Sequence, residues 1–101
     1  MVKNSKEFIM STYIYSRWKN SPVGSPVEFY SELDGLRYET RKVEVFHSNK
    51  YGFASKTTKS NGTQLGIIPV PSLSEVSSQS EFDIKPITKE EFEAVWNKSA
   101  S

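Results

Sequence analysis

The segment from Pro26 to Phe46, PVEFYSELDGLRYETRKVEVF, constrains the fold of this chain more than any other part. Two stretches of β-forming residues meet at Asp34-Gly35, a pair that suits a hairpin turn because both residues tolerate positive φ. Successive side chains of a strand point to opposite faces. One face of the first stretch carries Val27, Phe29 and Leu33, and the other carries Glu28, Tyr30, Glu32 and Asp34. The pattern predicts a strand with one buried face and an exposed face of acids and an aromatic ring, which is typical of a binding protein.

Length and composition indicate one small domain. A chain of 101 residues suits a single modest core. The 13 basic and 12 acidic residues nearly balance, so the net charge implies no attraction to nucleic acid or membrane. The absence of cysteine excludes disulfides, thiolate catalysis and cysteine-based zinc sites. Large rings are expected to supply much of the buried area: Trp18, Phe29, Phe46, Phe53 and Trp96.

The sequence contains no recognisable membrane-spanning segment or secretory signal. No apolar run approaches the roughly 18–20 residues that span a membrane. Near the start, the only apolar run is Phe8-Ile9-Met10, whereas a secretory signal needs about 7–15 apolar residues. We expect residues 1–11 to be a disordered leader, residues 12–98 to form one domain and residues 99–101 to be a tail. The expected compartment is the cytoplasm.

The order of the patterns predicts an antiparallel meander. Strands are expected over residues 12–19, over the two stretches of the hairpin (the second being 36–47), and over 51–57, 63–68 and 82–87. Apolar residues change phase between Tyr38 and Val43, which predicts a bulge or bend near Thr40 to Lys42. Small residues at Gly52 and Ala54 favour the close approach of another element. Pro86 assigns the last strand to an edge, because proline cannot donate to an inner ladder.

Two capping boxes mark helix starts, Ser72 with Glu75 and Thr88 with Glu91. The second opens a C-terminal helix with an apolar stripe at helical spacing, formed by Phe92, Val95 and Trp96. One such helix cannot cover its own stripe, so it must lie against the sheet. The predicted fold is therefore α+β, a curved, half-barrel-like antiparallel β-meander with the C-terminal helix packed on its concave face.

Few residues point to chemistry. His47 is the only histidine, which excludes a two-histidine acid–base pair and a multi-histidine metal site, and we interpret it as an exposed structural residue. Glu28, Glu32 and Asp34 share a strand face at spacings of about 6.6–6.8 Å, which could hold a cation or an acid–base pair. A solvated face or a surface for a basic partner needs fewer assumptions. With no phosphate loop, nucleophile motif or dinucleotide fingerprint, we expect no enzyme, cofactor or metal.

The basic residues leave alternatives open. Arg37, Glu39 and Arg41 alternate in sign along the third strand, and cross-strand ion pairs are their simplest interpretation. A nucleic-acid-binding module is one alternative, and it would use Arg17, Lys19, Arg37 and Arg41 with Tyr13 or Tyr15. Another alternative is a small-ligand site or enzyme between helix and sheet, near Trp96 and Gly52.

A set of motifs distributed from Tyr13 to Trp96 resembles a small bacterial domain family. The motifs are Arg17-Trp18-Lys19, PVEFYSELD, RYETRKVEVF, YGFAS, TQLG, IPVPSL and ITKEEFEAVW. The family is similar to immunity proteins of contact-dependent growth inhibition and related polymorphic toxin systems, including systems with ribonuclease toxins. The resemblance implies a cytoplasmic inhibitor that binds a cognate C-terminal toxin domain, as a monomer or 1:1 complex, and occludes its active site.

If the resemblance holds, the partner-binding residues follow from the hairpin. The expected charge partners for a cationic cleft are Glu28, Glu32, Asp34 and Glu39. Tyr30 is the expected aromatic anchor, because aromatic residues at the centre of an interface often dominate its affinity.

Overall fold

A computed structural model describes residues 11–60, 62–78 and 81–100, so residues 1–10 of the leader predicted over residues 1–11 lie outside the described residues. The strands are β1 (Thr12–Trp18), β2 (Pro26–Leu33), β3 (Glu39–Phe46), β4 (Tyr51–Ser55) and β5 (Phe82–Ile87). The helices are α1 (Leu73–Ser77) and α2 (Lys89–Ala100). The α+β class is confirmed, and α2 extends to Ala100, beyond the predicted domain end at residue 98. Within the described ranges, no helix has the length and apolar character to cross a bilayer.

The five strands form one antiparallel sheet in the order β4-β3-β2-β1-β5. The meander from β1 to β4 is confirmed, and β5 returns to the open side of β1. The backbone N–H of Lys19 donates to the carbonyl of Glu81 at 2.7 Å. Because hydrogen-bonded pairs alternate along an antiparallel ladder, the nitrogen of Pro86 then faces the outer edge. The predicted edge position of Pro86 is therefore confirmed, and no ladder bond is lost.

The β2–β3 hairpin turns where the sequence predicts, but through a longer loop. The backbone N–H of Arg37 donates to the carbonyl of Asp34 at 2.9 Å, and Arg37 has a φ of 70°. One oxygen of the Asp34 carboxylate accepts the N–H groups of Leu36 at 2.9 Å and Tyr38 at 3.0 Å. A two-residue turn at Asp34-Gly35 is therefore wrong, because the left-handed residue comes later, at Arg37, and closes a three-residue loop.

The predicted irregularity of the third strand is confirmed at Thr40. Glu32 pairs with Arg41 while Leu33 pairs with Glu39, so Thr40 is the extra residue of a bulge. Without the bulge, the alternation of side chains would place Glu39 and Arg41 on the same face of the sheet. Glu39 contacts one face of the sheet and Arg41 the other.

Helix α2 lies across one face of the sheet with its apolar stripe inward. Phe92 is completely buried and its ring lies 5.4 Å from that of Tyr13. Trp96 packs edge-on against Phe53 at 5.7 Å. The predicted capping box is present, since the Thr88 N–H donates to Glu91 and the Glu91 N–H donates to the Thr88 hydroxyl. These contacts fix the start and the orientation of the helix.

The opposite face is covered by residues 63–78, which we call the strap. The strand predicted over 63–68 does not form, because glutamate side chains rather than a neighbouring strand bind this segment. The Thr63 hydroxyl donates to Glu44 at 3.0 Å, and the Gly66 N–H donates to Glu39 at 2.7 Å. A Cβ on Gly52 would lie 2.1 Å from the Thr63 Oγ1, so the expected close approach at this glycine is confirmed. The strap ends in α1, whose predicted capping box is also present.

The two covered faces give the protein a thin core on each side of the sheet. The buried apolar residues are mostly aliphatic: Ile14, Leu33, Val43, Val45, Ala54 and Phe92. The large rings expected to dominate the core, Trp18, Phe29, Phe46, Phe53 and Trp96, are only half-buried. The thin covering layers enclose these rings only in part, as where Trp18 stacks on Phe82 and Trp96 packs edge-on against Phe53.

Candidate functional site

A groove of about 500 Å³ runs between the sheet and the first turns of α2. We call it the tyrosine groove, and its lining is Tyr15, Tyr30, Lys85, Ile87, Glu91, Ala94 and Val95. Its floor follows directly from strand register, because Tyr15 lies opposite Tyr30 on β2 and opposite Lys85 on β5. Helix α2 forms the remaining wall. Of the predicted partner-binding residues, Tyr30 lines the groove and Glu28 contacts its lining residue Tyr15.

Tyr15 and Glu28 are joined by a hydrogen bond beside the groove. The Tyr15 hydroxyl donates to the Glu28 carboxylate at 2.5 Å. Burial raises the pKa of Tyr15, and the hydrogen bond and negative charge of Glu28 raise it further. The phenol therefore stays protonated and keeps the Glu28 carboxylate in a defined position.

Tyr30 and Lys85 lie on either side of Tyr15 in the groove. The Tyr30 ring lies 5.0 Å from that of Tyr15 at an interplanar angle of 59°. Burial raises the pKa of Tyr30, and the charge of Glu28 adds to the effect. The Lys85 ammonium lies 5.6 Å from the centre of the Tyr15 ring, within the range of a cation–π contact. This arrangement presents hydrogen-bond donors, carboxylates and aromatic surface, which suits recognition of a partner.

Glu32 does not lie on an exposed face, so that expectation is wrong. Arg41 donates to both oxygens of Glu32, at 2.9 and 2.7 Å, and to both oxygens of Glu93 on α2, at 3.1 and 2.5 Å. The Glu32 carboxylate also accepts hydrogen bonds from Tyr13 at 3.1 Å and Thr40 at 2.8 Å. The simpler interpretation of Glu32 and Arg41 as a cross-strand ion pair is therefore confirmed. Helix α2 packs on the acidic face because Arg41 links acids from both elements.

The Glu32–Arg41–Glu93 cluster changes the titration of its members. Hydrogen bonds from Arg41 are the largest cause that holds the pKa of Glu32 and of Glu93 below their usual values. The same bonds raise the pKa of Arg41. The side chain of Glu32 is only 12% exposed, so it is a structural group and not a surface charge.

Asp34 and Glu39 support the hairpin and the strap. Asp34 accepts the two backbone N–H groups that close the loop, as described above. Glu39 pairs with Lys42 at 3.1 Å, accepts the Ser31 hydroxyl at 3.2 Å and accepts the Gly66 N–H. The side chain of Glu39 is only 9% exposed. Glu39 and Glu28 therefore lie on opposite faces of the sheet, and the five predicted partner residues do not form one surface.

The basic residues of the nucleic-acid alternative are also divided. The Arg37 guanidinium donates to the carbonyls of Val70 at 2.8 Å and Pro71 at 2.7 Å. Arg41 is held in the cluster with Glu32 and Glu93. Lys19 pairs with Asp83 at 3.5 Å. Arg37 and Arg41 are thus used for contacts within the protein, whereas Arg17, the fourth residue of this alternative, is exposed on β1 two residues before Lys19.

The small-ligand alternative near Trp96 and Gly52 does not match the geometry. Trp96 packs on the α2 face, whereas Gly52 lies under Thr63 of the strap on the other face. His47 is exposed, with its Nε2 3.0 Å from the carbonyl oxygen of Ser21, as expected for a structural histidine. In the part of the chain that the structure describes, no three histidine or carboxylate side chains meet in a way that could hold a metal ion.

Of the seven residues that line the tyrosine groove, the predicted partner-binding set includes only Tyr30. Lys85 and Ile87 join Tyr15 because β5 pairs with β1, and strand order is not written in local pattern. The sequence indicates only a capping role for Glu91. The one available signal was the alternation in β1, which places Tyr13, Tyr15 and Arg17 on the same face.

Comparison with known proteins adds one match. A family model described as a domain of unknown function, DUF6881, matches residues 12–101. No curated protein matches the chain. No solved structure matches it either.

Proposed function

We propose that this chain, which belongs to the DUF6881 family of domains of unknown function, is an immunity protein. In this proposal it acts in the cytoplasm without cofactor or catalysis. It binds the C-terminal domain of a cognate toxin, a ribonuclease of a contact-dependent growth inhibition system, and forms a 1:1 complex. The motifs from Tyr13 to Trp96 support the proposal by resemblance, and the tyrosine groove supports it by its chemistry.

The observation that carries the proposal is the contact of Tyr15 with Glu28 beside Tyr30. A carboxylate fixed by a phenol at 2.5 Å is preorganised, so little side-chain entropy is lost when it meets a cationic partner. Tyr30 supplies an aromatic surface next to that charge. A ribonuclease needs a cationic cleft to bind phosphates, and an acid flanked by aromatic rings can occupy such a cleft in place of RNA.

The other predicted partner residues have different roles in this proposal. Glu32 and Glu39 are positioning residues, since each carboxylate is saturated by contacts within the protein. Asp34 shapes the hairpin and contributes charge at its tip. Glu91, exposed on the first turn of α2, adds an acid to the wall of the groove.

The first experiment is a tagged pull-down from the native bacterium, with co-purified protein and nucleic acid both identified. We expect a toxin domain in 1:1 ratio whose ribonuclease activity is blocked when the purified chain is added. Recovery of nucleic acid alone, sensitive to nuclease, would overturn the proposal in favour of the nucleic-acid alternative.

Variants of Glu28 then test the site. Glu28→Gln keeps an acceptor for the Tyr15 hydroxyl but removes the charge, and Glu28→Lys reverses it. We expect affinity for the toxin domain to fall several-fold with the first and at least about tenfold with the second, mainly through slower association. The matched control is Glu81→Lys, which makes the same change of charge at an exposed acid directly before β5. Equal losses for Glu28→Lys and Glu81→Lys would show that the groove is not the contact surface.

A further inference from the structure

Four exposed apolar side chains are concentrated at the tip of the β2–β3 hairpin and the adjoining strap. They are Leu36, Tyr38, Ile67 and Ile68, which are 74%, 40%, 89% and 70% exposed. We call this set the apolar crest. Single exposed apolar residues need no explanation, but a concentration of them marks an interaction surface.

The two segments that carry the apolar crest are held side by side by hydrogen bonds. The Val70 N–H donates to the carbonyl of Arg37 at 2.8 Å, and the Arg37 side chain donates back to the carbonyls of Val70 and Pro71. Further along, the Gly66 N–H donates to Glu39. Ile67 and Ile68 lie between these two attachment points. The crest is therefore preorganised, and binding through it costs little ordering entropy.

The exposure of the crest decides the shape of its partner. Side chains that are 70% or more exposed project from the surface and have neighbours on less than a third of their area. A small molecule needs a concave site that buries most of its surface. A projecting crest instead requires that the partner supply the concavity, as a folded protein with an apolar cleft does.

The charges around the crest decide between a protein and a membrane. The Asp34 carboxylate accepts the Leu36 N–H at 2.9 Å, and Glu75 lies on α1 at the end of the strap. The guanidinium of Arg37 is used by two carbonyls, and the Lys42 ammonium is used by Glu39 and the Gln64 carbonyl. This setting is unfavourable for an anionic bilayer, which attracts clusters of basic residues. It suits an apolar cleft with a basic rim.

We infer that the apolar crest is a second docking surface for a protein, inserted into an apolar cleft that borders a cationic site on the partner. The inference rests on the proposed function, because the partner is the ribonuclease toxin domain. It adds a contact that the acidic residues of the tyrosine groove do not supply. The crest provides apolar contact area, whereas the groove provides charge.

The test measures affinity for the toxin domain recovered by the wild-type chain. The variant Leu36→Ser/Ile67→Ser removes two crest side chains without disturbing burial, so its thermal unfolding should match that of the wild type. We expect its affinity to fall at least about tenfold, mainly through faster dissociation. The control is Val23→Ser, which alters a 95% exposed side chain in the loop between β1 and β2 and should leave affinity unchanged.

Each other outcome contradicts the inference in a distinguishable way. If the double variant keeps its affinity, or if Val23→Ser causes an equal loss, the crest is not a docking surface, but the proposed function still stands. If the wild type fails to recover and inhibit a toxin domain, both the proposed function and the docking role of the crest are contradicted.

Vesicles with about 30% anionic lipid should not bind the protein. Binding that the double variant abolishes would assign the crest to a membrane instead, and concentration-dependent sedimentation lost in the variant would assign it to a second copy of this chain.

Discussion

The guanidinium of Arg41 on β3 packs its face against the ring of Trp96 on α2, with its central carbon 5.1 Å from the ring centre. The same carbon lies 4.9 Å from the ring centre of Phe92. The edges of the guanidinium donate to Glu32 and Glu93. One side chain thus combines cation–π contacts with two ion pairs, and it fixes α2 to the sheet.

Replacing Arg41 tests whether this cluster holds the helix. We expect Arg41→Met to lower the free energy of unfolding by about 2–4 kcal/mol, because two partly buried carboxylates lose their partner. The value is below that of a fully buried pair since the cluster retains some exposure. Denaturant unfolding measures it. Arg17→Met, a change at an exposed arginine of β1, should cost less than about 0.5 kcal/mol, and equal effects would contradict the assignment.

The same cluster predicts how stability depends on pH. The folded-state pKa values of Glu32 and Glu93 are lowered, so the unfolded chain binds more protons as pH falls below about 5. The contribution of these groups to the free energy of unfolding should therefore be complete at neutral pH, and it should be lost as pH falls through the folded-state pKa values. Hydrogen bonds from Ser72 and Thr88 lower the pKa of the capping residues Glu75 and Glu91, which add to this decrease.

Unfolding curves between pH 3 and 7 check that dependence. Glu32→Gln/Glu93→Gln should be less stable at pH 7 and show a shallower decrease toward pH 3, because two of the contributing groups no longer titrate. Glu90→Gln, at an exposed position of the same helix, should keep the wild-type slope. A double variant as steep as the wild type would show that other carboxylates dominate.

Gly52 tests the attachment of the strap to the sheet. Gly52→Ala places a methyl group 2.1 Å from the Thr63 hydroxyl, which is nearly inaccessible at 1% exposure. We expect a loss of about 1–3 kcal/mol in the free energy of unfolding, typical of overpacking. Thr63→Ala alone should cost about 0.5–1.5 kcal/mol by removing its hydrogen bond to Glu44. Gly52→Ala/Thr63→Ala should cost less than the sum, and strict additivity would contradict the close approach.

Asp34 allows the turn and the charge to be separated. Asp34→Ala removes the acceptor of two N–H groups and should lower the free energy of unfolding by about 1–2 kcal/mol. Asp34→Asn keeps an acceptor oxygen, so its stability should stay within about 0.5 kcal/mol of the wild type. Thermal or denaturant unfolding distinguishes them. Equal losses would mean that the negative charge, and not the acceptor geometry, stabilises the loop.

Several local features could be predicted from sequence because short-range chemistry determines them. Both capping boxes, the edge position of Pro86 and the bulge near Thr40 follow from residue type and spacing, and all are present. The strand expected over 63–68 failed because backbone groups of this segment bind glutamate side chains that are distant in sequence. The candidate site was found only in part, through Glu28 and Tyr30, because Lys85 joins them by a strand pairing that no local pattern encodes.

The sequence by itself determined the elements, their caps and the alternation of side chains on each strand, because these depend on neighbours within a few residues. It did not determine which face of β2 would be covered. The position of Leu33 indicated that one face of β2 is buried, but both faces are covered, that one by the strap and the other by α2. Only the tertiary structure decided that Glu32 is half-buried in an ion-pair cluster while Glu28 stays beside a groove, because Arg41 and Glu93 lie 9 and 61 residues away from Glu32 in the chain. Charge compensation at such distances depends on the packing of the whole chain, and a local pattern of alternating acids cannot express it.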